Sequence, residues 1–206
     1  MDALLAFAAT LVSLRLAAEL IRRWRVRRTP ELAAWSASLG AYAIASGALT
    51  WGAAAGWSEA PFRLYYLCGG LLTAALLGAG SLLRVGQRWV APFALLYTGL
   101  AVGLAVAEPL TEPVSGTGIP AAQDHLDFLP TRLLAIAGNS LGTIAALGVA
   151  LLTLRQRPLG NGLIFAGVAV AAIGTALAGL GEAGTALFAA AAAVLLYGGF
   201  VTPPRR

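Results

Sequence analysis

Three hydrogen-bonding side chains lie close together within a long apolar stretch of this sequence. Asn139, Ser140 and Thr143 are surrounded by leucine, alanine and glycine over residues 132–154. Residues four apart share one face of a helix, so Asn139 and Thr143 are expected to point the same way. An unpartnered amide in apolar surroundings is costly, which predicts that this face points into the protein. These side chains either join helices to one another or contact a ligand.

A second group of side chains, aromatic and cationic, is expected near the same end of the molecule. Its members are Trp51, Arg63, Tyr65, Tyr66 and Arg132. Aromatic residues at this level of a membrane helix often form a belt among the lipid headgroups. The alternative is that the group lines an outward-facing pocket together with Asn139. The pocket hypothesis predicts that Tyr66→Ala or Asn139→Ala abolishes ligand binding while expression is retained.

Arg15 and Glu19 are ionisable residues one helical turn apart within the first apolar segment. Charged groups at membrane depth are candidates for a proton or ion path. The structural alternative is an ion pair between positions i and i+4, with Arg15 extending its guanidinium toward the nearer headgroups. We predict the ion pair.

Residues able to hold a metal or act as a catalytic base are scarce. His125 is the only histidine, Cys68 is the only cysteine, and Asp124 and Asp127 flank the histidine. A metal site normally needs three or four convergent ligands, and a serine hydrolase needs a base beside its nucleophile. We therefore predict no metal or cofactor and find no support for an enzyme. The stretch 121–129 is predicted to form a short amphipathic helix that either lies on the membrane or caps the bundle.

The composition places this chain in a membrane. Of its 206 residues, 59% are hydrophobic and 11% are charged, whereas soluble domains usually carry about 25% charged residues. A water-soluble protein this apolar would expose large hydrophobic patches and aggregate. The formal charge of +5 comes from arginines beside apolar segments, which favours membrane topology over nucleic-acid binding.

Apolar segments long enough to cross a bilayer follow one another along the chain. The predicted fold is all-α, a polytopic bundle of seven transmembrane helices in a single domain. The predicted spans are 3–21, 32–56, 62–83, 89–107, 132–154, 161–180 and 185–201, with one long outer loop at 108–131.

Arginine alternates between the connections in a way that predicts orientation. The connections after spans one, three and five hold five, two and two arginines, and the tail holds two. The other segments hold at most Arg63 and Arg132 and carry acidic residues instead: Asp2, Glu59, Glu108, Glu112, Asp124, Asp127 and Glu182. Because arginine is retained on the cytoplasmic side, the N-terminus is predicted outside and the C-terminus in the cytoplasm. The arginine- and alanine-rich usage suggests a bacterial plasma-membrane protein from a genome rich in G and C.

Spans one to three and five to seven share a layout, with span four as a linker. Each triplet has an arginine- and proline-containing inner connection and a short outer turn, Glu59-Ala60 or Glu182-Ala183. This three-plus-one-plus-three plan resembles sugar transporters of the SWEET and PQ-loop type, although spans one and five lack the proline-glutamine pair. It also resembles rhodopsin-like bundles in topology. A retinal Schiff base needs a lysine, and the chain has none.

Two classes of function fit these features. The first is a carrier or receptor that takes a small apolar or amphipathic ligand from the outer face or from lipid. The second is a sensory or accessory subunit, or a structural subunit, that acts through a separate membrane or cytoplasmic partner. In topology the chain resembles the seven-helix sensing regions fused to some bacterial histidine kinases. The expected partners are membrane lipids and either a second copy or a membrane-complex subunit, and not nucleic acid.

Overall fold

The computed structural model describes residues 2–179 and 184–203, and in this part of the chain the secondary structure is helical without strands. Seven long helices run through it. They are α1 Asp2–Arg27, α2 Pro30–Ala55, α3 Glu59–Arg84, α4 Val90–Ala107, α5 Leu133–Leu152, α6 Pro158–Gly179 and α7 Thr185–Val201. The predicted all-α class is confirmed.

The length and hydropathy of these helices support a multi-pass membrane protein. The segments of α1 to α6 have 18 or more residues, with mean hydropathy between 1.3 and 2.0 in their most apolar windows. α7 is a shorter apolar helix of 17 residues, about 25 Å long at 1.5 Å per residue. Six helices thus reach the length of a full span, one fewer than the seven predicted.

The first helix extends beyond its predicted end. We expected a span over 3–21, but α1 continues to Arg27 and stops where Arg28 adopts a left-handed φ of 52°. Arginine favours helix, and Glu19 forms ion pairs one turn ahead with Arg22 and Arg23. The arginine-rich segment is therefore mostly an extension of α1. The other predicted boundaries lie within about three residues of the helix ends.

The helix predicted over 121–129 is almost absent. Only Ala122–His125 is helical, because Leu126 and Leu129 are in extended conformations. Leu129 precedes Pro130, and a residue before proline is disfavoured in the helical region. Leu126 is buried instead of lying on an amphipathic surface. The prediction was wrong here because hydrophobic packing and the proline outweighed the apparent periodicity.

Six of these helices pack as a ring in the order α1, α2, α3, α5, α6, α7 and back to α1. α4 lies outside the ring against α3 and the turn before α5. Its outer surface is strongly exposed, as at Leu95 (75%) and Val106 (74%). In a bilayer this surface faces lipid or a neighbouring protein.

The arginine-bearing connections gather at one end of the ring, which we call the arginine end. Arg157 lies after α5 and donates from Nη2 to the carbonyls of Gly199 (3.2 Å) and Thr202 near the end of α7. Burial and the nearby charges of Arg84 and Arg23 lower the pKa of Arg157. The connections after α1, α3 and α5 therefore meet on one side of the bundle.

The connection of residues 108–127, which we call the cap, folds over the opposite end. Its two arms are joined by a hydrogen bond from Thr111 N to His125 O of 3.0 Å. Trp57 N, between α2 and α3, donates to Gly116 O at 2.8 Å. Leu126 packs in the buried cluster that contains Trp57. The cap is thus a packed part of the fold.

Candidate functional site

A cavity of about 720 Å³ lies inside the helix ring. Its walls come from α2, α3, α5, α6 and α7, and cap residues 119–123 lie across one end. Small-molecule sites commonly have volumes of about 300–1,000 Å³. The cavity is therefore large enough to hold a ligand and is the candidate site.

The middle of α3 forms one wall of the cavity and is wound as a π-helix over Tyr66–Thr73. Side chains donate to its backbone carbonyls as follows: Asn139 to Gly70 (2.6 Å), Tyr97 to Leu71 (2.9 Å), Ser38 to Thr73 (2.7 Å) and Thr73 to Cys68 (2.7 Å). A π-turn disturbs the regular helical bonds, and backbone groups within a membrane must find partners. These donors hold the widened turn against α2, α4 and α5.

Asn139 points into the bundle and its amide nitrogen joins α5 to α3. Its Oδ1 accepts no hydrogen bond from residues 2–179 or 184–203, and the residue lines the cavity. Asn139→Ala would therefore remove a helix contact as well as a cavity group. Polar bonds between membrane helices contribute about 0.6 kcal/mol on average, so loss of ligand binding in that variant would have two causes.

Several cavity hydroxyls form no hydrogen bond with the described part of the chain. These are Tyr65, Tyr66, Ser140, Thr143 and Thr185. By contrast, Tyr42 in the same wall donates to Ala189 O at 2.8 Å. Only the Oγ1 of Thr185 is a fully buried atom without a partner, which is unusual for a buried polar group. Ser140 is exposed, and Tyr65, Tyr66 and Thr143 are half-buried, so their hydroxyls are available to a ligand or to water in the cavity.

The polar and apolar parts of the cavity lie at different depths. The free hydroxyls begin near the cap, whereas the wall toward the arginine end includes Leu39, Leu77, Val168 and Leu196. Those four belong to the main buried cluster of the bundle. The cavity is therefore amphipathic along its length.

A gap between α5 and α6 opens the cavity sideways near the cap. Ile136, Ser140 and Ile144 on α5 line the cavity and are also exposed, and so are Thr175 and Ala176 on α6. Toward the arginine end the helices are joined, since Asn161 at the start of α6 donates to Thr153 O, just after α5, at 2.7 Å. In a membrane such a gap faces the acyl chains.

Six of the residues singled out in the sequence line this cavity: Tyr65, Tyr66, Arg132, Asn139, Ser140 and Thr143. The other two do not. Trp51 is 49% exposed on α2. Arg63 forms an ion pair with Glu59 (2.7 Å) and donates to Ala105 O on α4 (2.7 Å). The geometry brings the six together, but ligand binding by them stays a prediction.

The predicted Arg15–Glu19 ion pair is not formed. Glu19 pairs with Arg22 at 3.0 Å and with Arg23 at 2.8 Å. The guanidinium of Arg15 lies 5.8 Å from the ring centroid of Tyr197 on α7. The Glu19 carboxylate turns toward the arginine end because Arg22 and Arg23 lie within one helical turn of it on that side. The guanidinium of Arg15 is instead attracted by the aromatic face of Tyr197.

The contribution of α2 to the cavity was not predicted from the sequence. Ser38, Tyr42 and Ser46 line it from this helix, and Ser38 and Ser46 are buried. Their spacing of four residues is a polar stripe that the sequence displays. The π-helical turn of α3, in contrast, has no sequence signal that we recognise.

Ligands for a metal do not converge in the part of the chain that the structure describes, where no group of three or more His, Cys, Asp or Glu side chains is found. The Nδ1 atom of His125 lies 3.1 Å from Glu112 O within the cap, and its ring packs edge-on against Phe62 at 5.3 Å between centroids. The histidine thus helps to hold the cap on α3.

Glu108 is an unusual carboxyl group at the end of α4. Both of its carboxylate oxygens are buried and have no hydrogen-bond partner among the described residues. Burial, together with the negative charge of Asp127, raises the pKa of Glu108, and the positive charge of Arg63 opposes this rise.

We expect Glu108→Gln to stabilise the protein in a pH-dependent way. An acid whose pKa is higher in the folded than in the unfolded state destabilises the fold when ionised, and this cost disappears as the pH falls through the folded-state pKa. Thermal unfolding in detergent should show a higher midpoint for Glu108→Gln at about pH 8, and a smaller gain at about pH 5. Glu112→Gln, an exposed acid of the same cap, is the control and should change neither midpoint. An unchanged or lower midpoint for Glu108→Gln at the higher pH would contradict the expectation.

Comparison with protein-family models, curated proteins and solved structures finds no match to this chain. The conclusions on function therefore rest on its own residues. The long apolar helices indicate a multi-pass membrane protein, and the main internal feature of the described residues is the cavity inside the ring.

Proposed function

We propose that this chain binds a small apolar or amphipathic ligand within the membrane and acts as a carrier or receptor for it. The observation that carries this proposal is the cavity of about 720 Å³ walled by five helices of the ring. Protein interiors are usually packed to high density, with few voids larger than a water molecule. A cavity of this size with free hydroxyls suits a bound molecule better than a packing defect.

The shape of the cavity supports a route from the lipid. The cap lies over one end, and the gap between α5 and α6 reaches the side of the bundle. Aqueous ligands would have to pass the packed cap, whereas a membrane-dissolved ligand meets the gap directly. An apolar end of such a ligand would lie among Leu39, Leu77 and Leu196.

We further propose seven spans in a bacterial plasma membrane, with α7 as the seventh. Placing the arginine end in the cytoplasm follows the distribution of arginine among the connections. The N-terminus and the cap then lie outside and the C-terminus inside. The ring order, with α4 excluded, is compatible with the three-plus-one-plus-three plan, because α3 contacts α5 just as α7 contacts α1.

A sensory or accessory subunit is the second candidate function, and a feature of the surface favours it. The last turns of α1 extend past the apolar segment, and the Arg22 side chain is 75% exposed. The exposed outer face of α4 offers a second surface for a membrane partner. In that case ligand occupancy of the cavity would be signalled through a separate protein, and native co-purification would recover it.

Cysteine labelling tests the topology and the cavity together. In a Cys68→Ala background, a membrane-impermeant maleimide added outside intact cells should label Gly118→Cys in the cap but not Gln156→Cys. Ser140→Cys, inside the gap, should react with a lipid-soluble maleimide, while Ala146→Cys, which replaces a side chain only 1% exposed, should not. Labelling of Gln156→Cys from outside would overturn the topology, and full protection of Ser140→Cys would contradict an accessible cavity.

A further inference from the structure

The charge of the cavity identifies the class of ligand more narrowly. Among the described residues that line it, Arg132 is the only one with a formal charge. Its guanidinium lies 5.6 Å from the ring centroid of Phe128, and no carboxylate within residues 2–179 or 184–203 forms an ion pair with it. A cation partly removed from water is stabilised by an anion, and the cavity wall supplies none.

Further hydrogen-bonding groups lie in the same cavity as Arg132. Arg132 ends the π-helical turn Phe128–Arg132 and leads directly into α5, since the N–H of Leu133 is bonded to the carbonyls of Phe128 and Pro130. The free hydroxyls of Tyr65 and Tyr66 line the same cavity. Thr185 also lines the cavity and is 92% buried, and its Oγ1 has no hydrogen-bond partner in the described chain. Hydrogen-bond donors and one cation thus lie together near the cap.

We propose that the cavity binds a single-chain anionic amphipath, such as a long-chain carboxylate, with its head at Arg132 and its chain toward Leu77 and Leu196. This inference rests on the proposed ligand-binding function and adds the chemistry of the head group. The guanidinium and the Tyr66 hydroxyl donate to the anionic oxygens. The apolar chain lies along α5, where residues 132–144 cover about 18 Å at 1.5 Å per residue. The gap between α5 and α6 admits the chain sideways from the bilayer.

A matched pair of fluorescent probes tests the head group directly. We would measure binding of cis-parinaric acid and of its methyl ester to the purified full chain in a non-ionic detergent. The two probes share one chain and differ in head charge. The acid should bind about tenfold or more tightly than the ester, since hydrogen bonds to charged groups are the stronger ones. Equal affinities would overturn the anionic head while leaving the cavity function intact, and no binding of either probe would overturn both.

Substitutions at two arginines distinguish a direct contact of Arg132 with the ligand head from the effect of any positive charge at this end of the bundle. Arg132→Gln should weaken binding of the acid about tenfold or more and leave the ester unchanged. Arg63→Gln is the matched control, because Arg63 lies at the same end but outside the cavity, and it should alter neither affinity. Arg132→Lys, which keeps the charge, should retain a preference for the acid even if Arg132→Gln proves too unstable to purify. An equal loss for both probes in Arg132→Gln would contradict a head-group contact.

Discussion

Ala172→Trp is expected to weaken ligand binding strongly while the protein still folds. Ala172 lies on α6 and lines the cavity, so an indole placed there occupies space that the ligand needs. The side chain enters an existing void instead of a filled core, which avoids the usual cost of overpacking, about 1–3 kcal/mol. Affinity for cis-parinaric acid or its ester should fall by at least about tenfold, since displaced apolar contacts contribute about 25 cal/mol per Å².

The neighbouring residue provides the control for that substitution. Ile173 is 52% exposed and does not line the cavity, so Ile173→Trp adds the same side chain to the outer surface of the same helix. Binding should be unchanged in Ile173→Trp, and the thermal midpoints of both variants should stay close to that of the parent chain. Equal probe affinities in the two tryptophan variants would show that the ligand binds elsewhere.

Gly142→Ala should destabilise the bundle, because the added methyl group would meet the backbone of a neighbouring helix. At this position α5 contacts the backbone of α3, and a Cβ on Gly142 would lie 2.7 Å from Ala75 N. From the opposite side, a Cβ on Gly78 would lie 2.8 Å from the carbonyl carbon of Gly142. Backbone atoms cannot rotate away as side chains do, so the two helices must separate. Overpacking of this kind costs about 1–3 kcal/mol, and the midpoint of thermal unfolding in detergent should fall.

Gly148→Ala is the matched control on the same helix. A Cβ added at Gly148 meets nothing within 4 Å, and alanine is preferred to glycine within a helix by about 1 kcal/mol. Gly148→Ala should therefore leave the midpoint unchanged or raise it slightly. A midpoint for Gly142→Ala as high as that of Gly148→Ala would mean that α3 and α5 are not in backbone contact. Small residues at such contacts are the usual means by which membrane helices approach closely.

The helices themselves follow from local sequence because lipid leaves the backbone few alternatives. An apolar segment in a membrane must satisfy its N–H and C=O groups internally, so the positions of the helices could be predicted from hydropathy and from the arginines and prolines between them. The ends of the helices were harder to predict than their positions. α1 continued through Arg22 to Arg27 because ion pairs with Glu19 stabilise that segment, and periodicity alone does not show such contacts.

The site could be predicted in part, and the residues show why. Asn139, Ser140 and Thr143 were visible because polar side chains are conspicuous in an apolar helix, and they line the cavity. Trp51 and Arg63 are as conspicuous, yet they lie outside it. Whether a residue lines the cavity depends on how its helix is rotated about its own axis. That rotation is decided by packing against the neighbouring helices. Ser38 and Tyr42 also line the cavity, although they were not distinguished from ordinary residues of α2.

The sequence by itself determined that the helices are apolar enough for a membrane, that the fold is all-α, and that arginine-rich and acidic connections alternate. Each of these properties depends on transfer energies and local geometry along the chain. The tertiary structure alone decided that α4 lies outside the ring, that α3 widens into a π-turn held by Asn139 and Ser38, and that the cavity opens between α5 and α6 near the cap. Those features arise from contacts between helices distant in sequence. Many different pairings of small residues satisfy the same local pattern, so only packing selects among them.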